Sequence, residues 1–265
     1  MLIGKPGAAQ TAISVASSDR IVVRGRDLAN DLMGSASFTD YVFLLATGRA
    51  PTDEQRFFLD LSLVALAEHG LTPSVQAARM TYDADPAALQ GAIAAGVLGC
   101  GTVILGAADL CRRLIENTLA RVDGCGSLDV AALEVARDYR ERRQPLPGYG
   151  HPLHKPVDPR AERMIALARE RGIAGRAVAA ALALTGAAAQ IWGKPLPMNV
   201  SMSIAATLRD VDVPPGLIRA APILARTAGL IAHLIEEDET PIGFLMASNG
   251  EEAILHLADA DGAAS

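Results

Sequence analysis

Aromatic residues are scarce in this chain of 265 residues, where they make up 4% of the sequence and include a single tryptophan. Half of the residues are nonetheless hydrophobic, so the apolar content is mainly Ala, Leu, Ile and Val. A β-sandwich would use more Thr, Tyr and Trp at alternating positions, whereas small aliphatic residues suit closely packed helices. The composition predicts a nearly all-α chain, long enough for one large domain or two unequal ones.

The sequence also lacks three other features: a long basic run, a cysteine pattern typical of disulfides or a metal site, and an apolar run that we interpret as a membrane span. The net charge is −6, and Cys100, Cys111 and Cys125 are odd in number and lack metal-ligand spacing. The apolar run from Ala177 to Trp192 is too short to span a bilayer, and Met1 to Pro6 holds no signal-peptide core. We therefore expect a cytoplasmic protein with reduced thiols, no bound metal, and no nucleic-acid or membrane partner.

The densest group of polar and turn-forming residues is the stretch from Pro147 to Arg160, which reads PGYGHPLHKPVDPR. It lies between two segments with helical periodicity, Leu128–Arg143 and Ala161–Arg171. Glycine-rich turns between helices often carry binding groups, and histidine is the side chain best suited to move protons near neutral pH. An interhelical turn with incidental histidines explains the local pattern equally well.

Several separated stretches resemble the citrate synthase superfamily, in the order in which that family has them. The stretch Gly96–Gly101, with Asp109, is more similar to the citryl-CoA lyase module of ATP-citrate lyase than to citrate synthase. The resemblance covers about Thr11 to Gly243, and its other stretches are Ile21–Leu28, Ser37-Phe38, Leu44-Leu45, Gly48, Pro51-Thr52, Ala67–Gly70, Arg79, PGYGH, DPR, Pro197–Val200, Arg226, Gly229 and His233.

The resemblance implies a citrate synthase-like all-α fold with a large domain, residues 1–107 and 213–265, and a smaller inserted domain, residues 108–212. It also implies an active site in the cleft between the domains, and a homodimer or higher homo-oligomer.

The reaction that the resemblance implies is the cleavage of citryl-CoA, or a close 3-hydroxyacyl-CoA, to acetyl-CoA and oxaloacetate. Coenzyme A would enter as part of substrate and product, with no permanently bound cofactor. No ATP-grasp or CoA-ligase segment is recognised, so we expect a separate citryl-CoA synthetase to supply the substrate. This retro-Claisen chemistry needs a base at the tertiary hydroxyl, cations for carboxylates, and an acid for the enolate carbon.

Residue by residue, the resemblance makes His151 the hydroxyl base and His69 a hydrogen-bond partner of the oxaloacetate half. Arg160 and Arg226 match carboxylate-binding arginines, a task that suits a forked guanidinium. Simpler interpretations are a histidine fixed in a turn for His151, a helix C-terminal cation for His69, and an exposed helix start for Arg160. An apolar helix around Arg226 would require an anionic partner.

Coenzyme A is expected at Lys155, Gly148 and Gly150, with Lys194 a further candidate that is otherwise simply a solvated lysine. His154 is expected behind the reacting groups or in solvent.

Three departures from the family pattern bear on the reaction. Ser201 follows Asn199-Val200 at the position of the catalytic aspartate, and the loop ending at Gly106 lacks the histidine of citrate synthases. No arginine lies near Met246, where a partner subunit would supply one. Ser201, through a held water, or Asp109 would have to replace the missing acid. Two other hypotheses stay open: a Claisen-type enzyme acting on an acyl-CoA with fewer carboxylates, and a non-catalytic acyl-CoA-binding protein.

Overall fold

Eleven α helices carry most of the chain in the computed structural model, which describes residues 10–150 and 153–255. Their bounds are α1 Phe38–Thr47, α2 Asp53–Ala67, α3 Pro73–Ala84, α4 Leu89–Leu105, α5 Ala107–Cys125, α6 Leu128–Glu141, α7 Pro159–Glu170, α8 Arg176–Trp192, α9 Val200–Asp210, α10 Pro215–Glu239 and α11 Gly243–Ala253. The nearly all-α fold class predicted from the composition is confirmed.

A small antiparallel sheet precedes the helices. Its strands are β1 Ser14–Ala16, β2 Ile21–Val23 and β3 Arg26–Asp27, paired in that order. The Asp27 side chain then caps a π-helical turn, Leu28–Leu32, by accepting from two backbone N–H groups.

Local capping signals set where α1 and α2 begin. Ser37 and Thr52 both form capping boxes, with the side chains of Asp40 and Gln55 reaching back to the cap residue. Because α2 ends at Ala67, His69 lies in the short turn that joins it to α3.

Two large hydrophobic clusters meet on α9. The first draws its buried members from residues 111–206, on α5 to α9 and the loop before α7, while the second joins α1, α2, α5, α7, α9 and α10. Residues 202–208 of α9 are all buried, as expected for a helix that packs on every side. The first cluster falls inside the predicted small domain and the second crosses its boundary, so the domain limits stay a prediction.

Two helical stretches have the length and apolar composition of membrane spans. They are Leu89–Cys125, which contains a non-helical Gly101, and Pro215–Glu239. Core helices of globular proteins meet the same criteria, so these stretches are weak evidence for a membrane.

A buried ion pair fixes α3 against α10. The guanidinium of Arg79, 2% exposed, contacts the carboxylate of Glu237, 1% exposed, and donates to Glu236 at 2.7 Å. The other oxygen of Glu237 accepts from the backbone N–H groups of Ile242 and Gly243, at the start of α11. One carboxylate thus ties three helices together.

Replacing Arg79 with leucine should cost about 3–5 kcal/mol of unfolding free energy, because Glu237 would keep a buried charge without its partner. Urea denaturation followed by circular dichroism measures this. Arg163→Ala is the matched control: it breaks a solvent-exposed pair with Glu170 and should cost less than about 1 kcal/mol. Equal losses in the two variants would contradict the assignment.

Candidate active site

Close approach of α10 to the end of α2 brings distant residues together. A Cβ at Gly229 would lie 1.9 Å from the carbonyl oxygen of Ala67, so no other residue fits without separating the helices. Arg226 and His233 lie on the same face of α10, one turn to either side of Gly229. The face is therefore presented to the turn that holds His69.

The central loop is pinned to the segment before α9 by backbone pairing. Gly150 N donates to the carbonyl of Pro197 at 2.7 Å, and Asn199 N donates to the carbonyl of Gly148 at 2.9 Å. Gly148 has φ +84°, and a Cβ there would lie 2.7 Å from the Cβ of Met202. Gly148 therefore has a structural reason to be glycine, and Gly150 is held in place by its hydrogen bond to Pro197. Both reasons are independent of the predicted role in CoA binding.

Asp158 joins the starts of α7 and α9. Its carboxylate is buried and accepts from the backbone N–H groups of Arg160 and Val200, both at 3.1 Å, and from Nε and Nη2 of the Arg160 side chain. Burial raises the pKa of Asp158, but Arg160 and these N–H groups more than reverse that effect, so the pKa is lowered. The ion pair fixes the direction of Arg160.

His69 lies among these groups, at the centre of the candidate site. Its ring centroid is 5.3 Å from that of His154. Burial lowers the pKa of His69, and the nearby charges of Arg160, His154 and Arg226 lower it further, while Asp158 opposes them. The histidine is therefore held in its neutral form at pH 7, as both donor and acceptor.

Arg226 is the described cation in this group that lacks a counter-charge. The residue is 8% exposed, and its Nη1 has no hydrogen-bond partner among the residues that the structure describes. An unpaired buried guanidinium is costly, so its geometry suits an anionic ligand bound beside His69. This matches the need for an anion inferred from the apolar sequence around Arg226.

Asp109, the carboxylate that could replace the missing aspartate, is already bonded to other side chains. Both oxygens of Asp109 are bound by Arg112 and Arg113, which lower its pKa against the opposing effect of burial. Ser201 sits in the first turn of α9, where its N–H donates to the side chain of Asn199 at 3.1 Å. Asp109 is thus poorly suited to act as a general acid.

An apolar pocket of about 450 Å³ opens beside the group. Asp158, Pro156 and Pro195 contribute to its lining, along with residues of α7 and α8. Lys155 and Lys194 directly precede the two lining prolines, and both are exposed. The pocket could take an apolar chain whose anionic end reaches the lysines.

The structure brings His69, Arg160 and Arg226 together, while the predicted base, His151, lies outside the described residues. His154 and Asp158 also belong to the group, although the sequence assigned neither a role in the reaction. His154, expected behind the reacting groups or in solvent, lies half-buried against His69. Asp158 had a local signal, an acidic cap before Pro159, whereas the contact of His154 depends on packing that no short pattern reveals. Among the described residues, no group of three or more His, Cys, Asp or Glu could hold a metal ion.

Titration of His69 by NMR should give a pKa below its ordinary value of 6.5. Because the folded state resists protonation there, this group costs no stability above pH 6.5 and lowers stability as the pH falls below it. Arg226→Leu removes one of the positive charges and should raise the pKa of His69, whereas Arg56→Leu, on an exposed helix face, should leave it unchanged. An unchanged pKa in Arg226→Leu would disprove the proximity of the two residues.

Comparison with solved structures supports the fold. The citryl-CoA lyase from Hydrogenobacter thermophilus superposes with a TM-score of 0.77 and 30% identity, covering 88% of both chains. The ATP citrate lyase from Methanothrix soehngenii, at 22% identity and a TM-score of 0.73 over 89% of this chain and 40% of that one, shares the fold.

Sequence comparison gives the same family. Proteins of Mycobacterium tuberculosis and Mycobacterium bovis named "Putative citrate synthase 2" are 30% identical over 187 residues, which is 68% of this chain and 47% of each relative. The chain thus spans about half the length of these curated relatives. Residues 55–243 match the family described as citrate synthase, C-terminal domain. The chain belongs to the citrate synthase family.

Proposed function

We propose that this protein cleaves citryl-CoA to acetyl-CoA and oxaloacetate by a retro-Claisen step. The observation that carries the proposal is the buried guanidinium of Arg226, whose Nη1 has no partner among the described residues, beside a neutral His69 and the oriented Arg160. The arrangement suits a carboxylate next to a hydroxyl or carbonyl oxygen. The likeness to the citryl-CoA lyase, which covers most of both chains, supports the same reaction.

Each residue has a defined part in the proposed reaction. Arg226 pairs with one carboxylate of the citryl group, and Arg160, two of whose nitrogens are held by Asp158, offers its third nitrogen to another. Neutral His69 donates a hydrogen bond to the oxygen that becomes the carbonyl of oxaloacetate. His151 takes the proton from that oxygen, as the family resemblance implies, and the carbon–carbon bond breaks to give the enolate of acetyl-CoA.

Protonation of the enolate is the step for which the chain has least to offer. Ser201 is far too weak an acid to donate a proton, and losing a positioned acid typically costs about 10²–10⁴ in rate. In the proposed mechanism, Ser201 holds a water molecule that delivers the proton.

Coenzyme A would lie in the apolar pocket beside Asp158. The pantetheine arm suits the apolar lining, and the exposed Lys155 and Lys194, next in sequence to the lining residues Pro156 and Pro195, suit the phosphates. The thioester would lie along the loop that contains Gly148 and Gly150 and so reach His69.

A second candidate is a Claisen-type enzyme for an acyl-CoA with fewer carboxylates. It is favoured by one observation: Asp158 already neutralises Arg160, so Arg226 is the unmatched arginine of the described group. An acyl-CoA-binding protein without turnover is the third hypothesis, and the occupied state of Asp109 favours it.

One assay separates the three. The purified protein is incubated with citryl-CoA and a panel of other 3-hydroxyacyl-CoA esters, and thioester products are followed by mass spectrometry. We expect turnover of citryl-CoA, with losses of at least about 100-fold in His151→Ala and Arg226→Leu because a base or a carboxylate partner is removed. Ser201→Asp should raise the rate by supplying a carboxylic acid near the enolate.

The control for this assay is Arg137→Leu, an exposed arginine on α6, which should turn over citryl-CoA as the unaltered chain does. Turnover of another ester alone would establish the second candidate. Binding of every ester without any product would establish the third. Cleavage of free citrate with ATP and CoA, without a separate synthetase, would refute the expected need for preformed citryl-CoA.

The proposal includes a homodimer. The most apolar window of Leu89–Cys125 has a mean hydropathy of 1.9, yet 24% of it is buried within the chain. Leu98 on α4 is 80% exposed and Ile104 is 45% exposed. An apolar surface of this extent on a soluble chain suits burial against a second copy.

Leu98→Glu should therefore shift the protein from dimer to monomer in analytical ultracentrifugation, because the new charge would be desolvated at the interface. Val64→Glu is the matched control, since Val64 on α2 is similarly exposed, at 78%, but lies outside this stretch. A monomer in both the unaltered chain and Leu98→Glu would contradict the dimer.

A further inference from the structure

Glu68 holds the turn that carries His69. Its Oε1 accepts from the backbone N–H of His69 at 2.8 Å and also from that of Gly70. Burial raises the pKa of Glu68, but its contacts with His233 and with these two N–H groups more than reverse this, so the pKa is lowered. A charged carboxylate thus fixes the backbone on both sides of the His69 side chain.

His233 contacts the other oxygen of the same carboxylate. Its Nε2 lies 2.9 Å from Oε2 of Glu68, within ion-pair distance although the angle is not that of a linear hydrogen bond. The imidazole is largely enclosed, with 14% of its side chain exposed. The His233 side chain extends from α10 to the end of α2, on the same face of the helix as Gly229.

Arg79 favours the tautomer of His233 in which the N–H faces Glu68. Its Nη1 lies 3.4 Å from Nδ1 of His233, and a guanidinium can only donate. In that tautomer Nδ1 accepts from Arg79 and the N–H is on Nε2, which faces Glu68. Arg79 is itself fixed by Glu237, so the orientation of His233 is anchored in the core.

From this chain of contacts we infer that His233 is a positioning residue for the candidate active site. It acts through Glu68, whose carboxylate it holds against the N–H groups of His69 and Gly70, and so sets the direction of the His69 imidazole. It touches no reacting atom. The inference rests on the proposed function only for its effect on catalysis, because the backbone positioning is a property of the protein alone.

The first measurement is amide hydrogen exchange at His69 and Gly70. His233→Leu removes the donor to Glu68, and exchange at both amides should become at least about 10-fold faster as their carboxylate partner is released. His233→Gln keeps an N–H group near the position of Nε2 and should restore most of the protection. In a double-mutant cycle, Glu68→Ala should make His233→Leu nearly silent.

Asp238→Ala is the matched control. It removes the acceptor of the Tyr82 hydroxyl, at 2.8 Å, and so weakens the contact of the same helix with α3, but among the described residues Asp238 is bonded to neither His233 nor Glu68. It should lower the melting temperature without changing exchange at His69 or Gly70. Unchanged exchange in folded His233→Leu would overturn the inference, as would equal changes in His233→Leu and Asp238→Ala.

Kinetics with citryl-CoA provide the second measurement. A misplaced His69 should raise KM by about 10- to 100-fold, because a small displacement of a positioning group weakens substrate binding. A merely destabilised fold would instead lower the active fraction and leave KM unchanged. If exchange responds as expected but no ester is turned over, the positioning role of His233 stands and the proposed reaction falls.

Discussion

The buried carboxylate of Asp158 is the interaction on which the rest of the site depends. It accepts from backbone N–H groups at the starts of two helices and from the Arg160 side chain, so a single negative charge fixes α7, α9 and an arginine at once. Such a group is favourable because helix N-termini carry partial positive charge and because every lone pair has a donor. Without it, Arg160 would lose the bonds that set its direction, and the backbone N–H of Val200 at the start of α9 would lose its acceptor.

A second set of contacts, made by a different part of the chain, supports the other side of the site. The long helix α10 carries Arg226, Gly229, His233 and Glu237 on one face. Of these, Gly229 packs against the end of α2, His233 contacts Glu68, and Glu237 pairs with Arg79 of α3. His69 lies where these two sets of contacts meet. Burial and the positive charges of Arg160 and Arg226 lower the pKa of its imidazole. The site is thus assembled from α2, α7 and α10 and the central loop, far apart in the chain.

Local physics made part of this predictable. Capping residues such as Ser37 and Thr52 mark the first turn of a helix, and small apolar side chains indicate close packing between helices. The family resemblance singled out His69, Arg160 and Arg226 for one site, and these three are neighbours in the structure. The contact of His154 with His69 and that of His233 with Glu68 could not be predicted, because each joins residues 85 or more positions apart and depends on the exact approach of packed helices.

The bonding of the carboxylates beside His69 has a consequence for where protons come from. Asp158 is saturated by Arg160 and backbone donors, and Glu68 accepts from two amides and lies within ion-pair distance of His233. Against the effect of burial, these contacts favour the charged form of each carboxylate and lower both pKa values, so neither group is suited to donate a proton at neutral pH. In the proposed reaction, the hydrogen added to the acetyl group would therefore come from water rather than from either of these carboxyl groups.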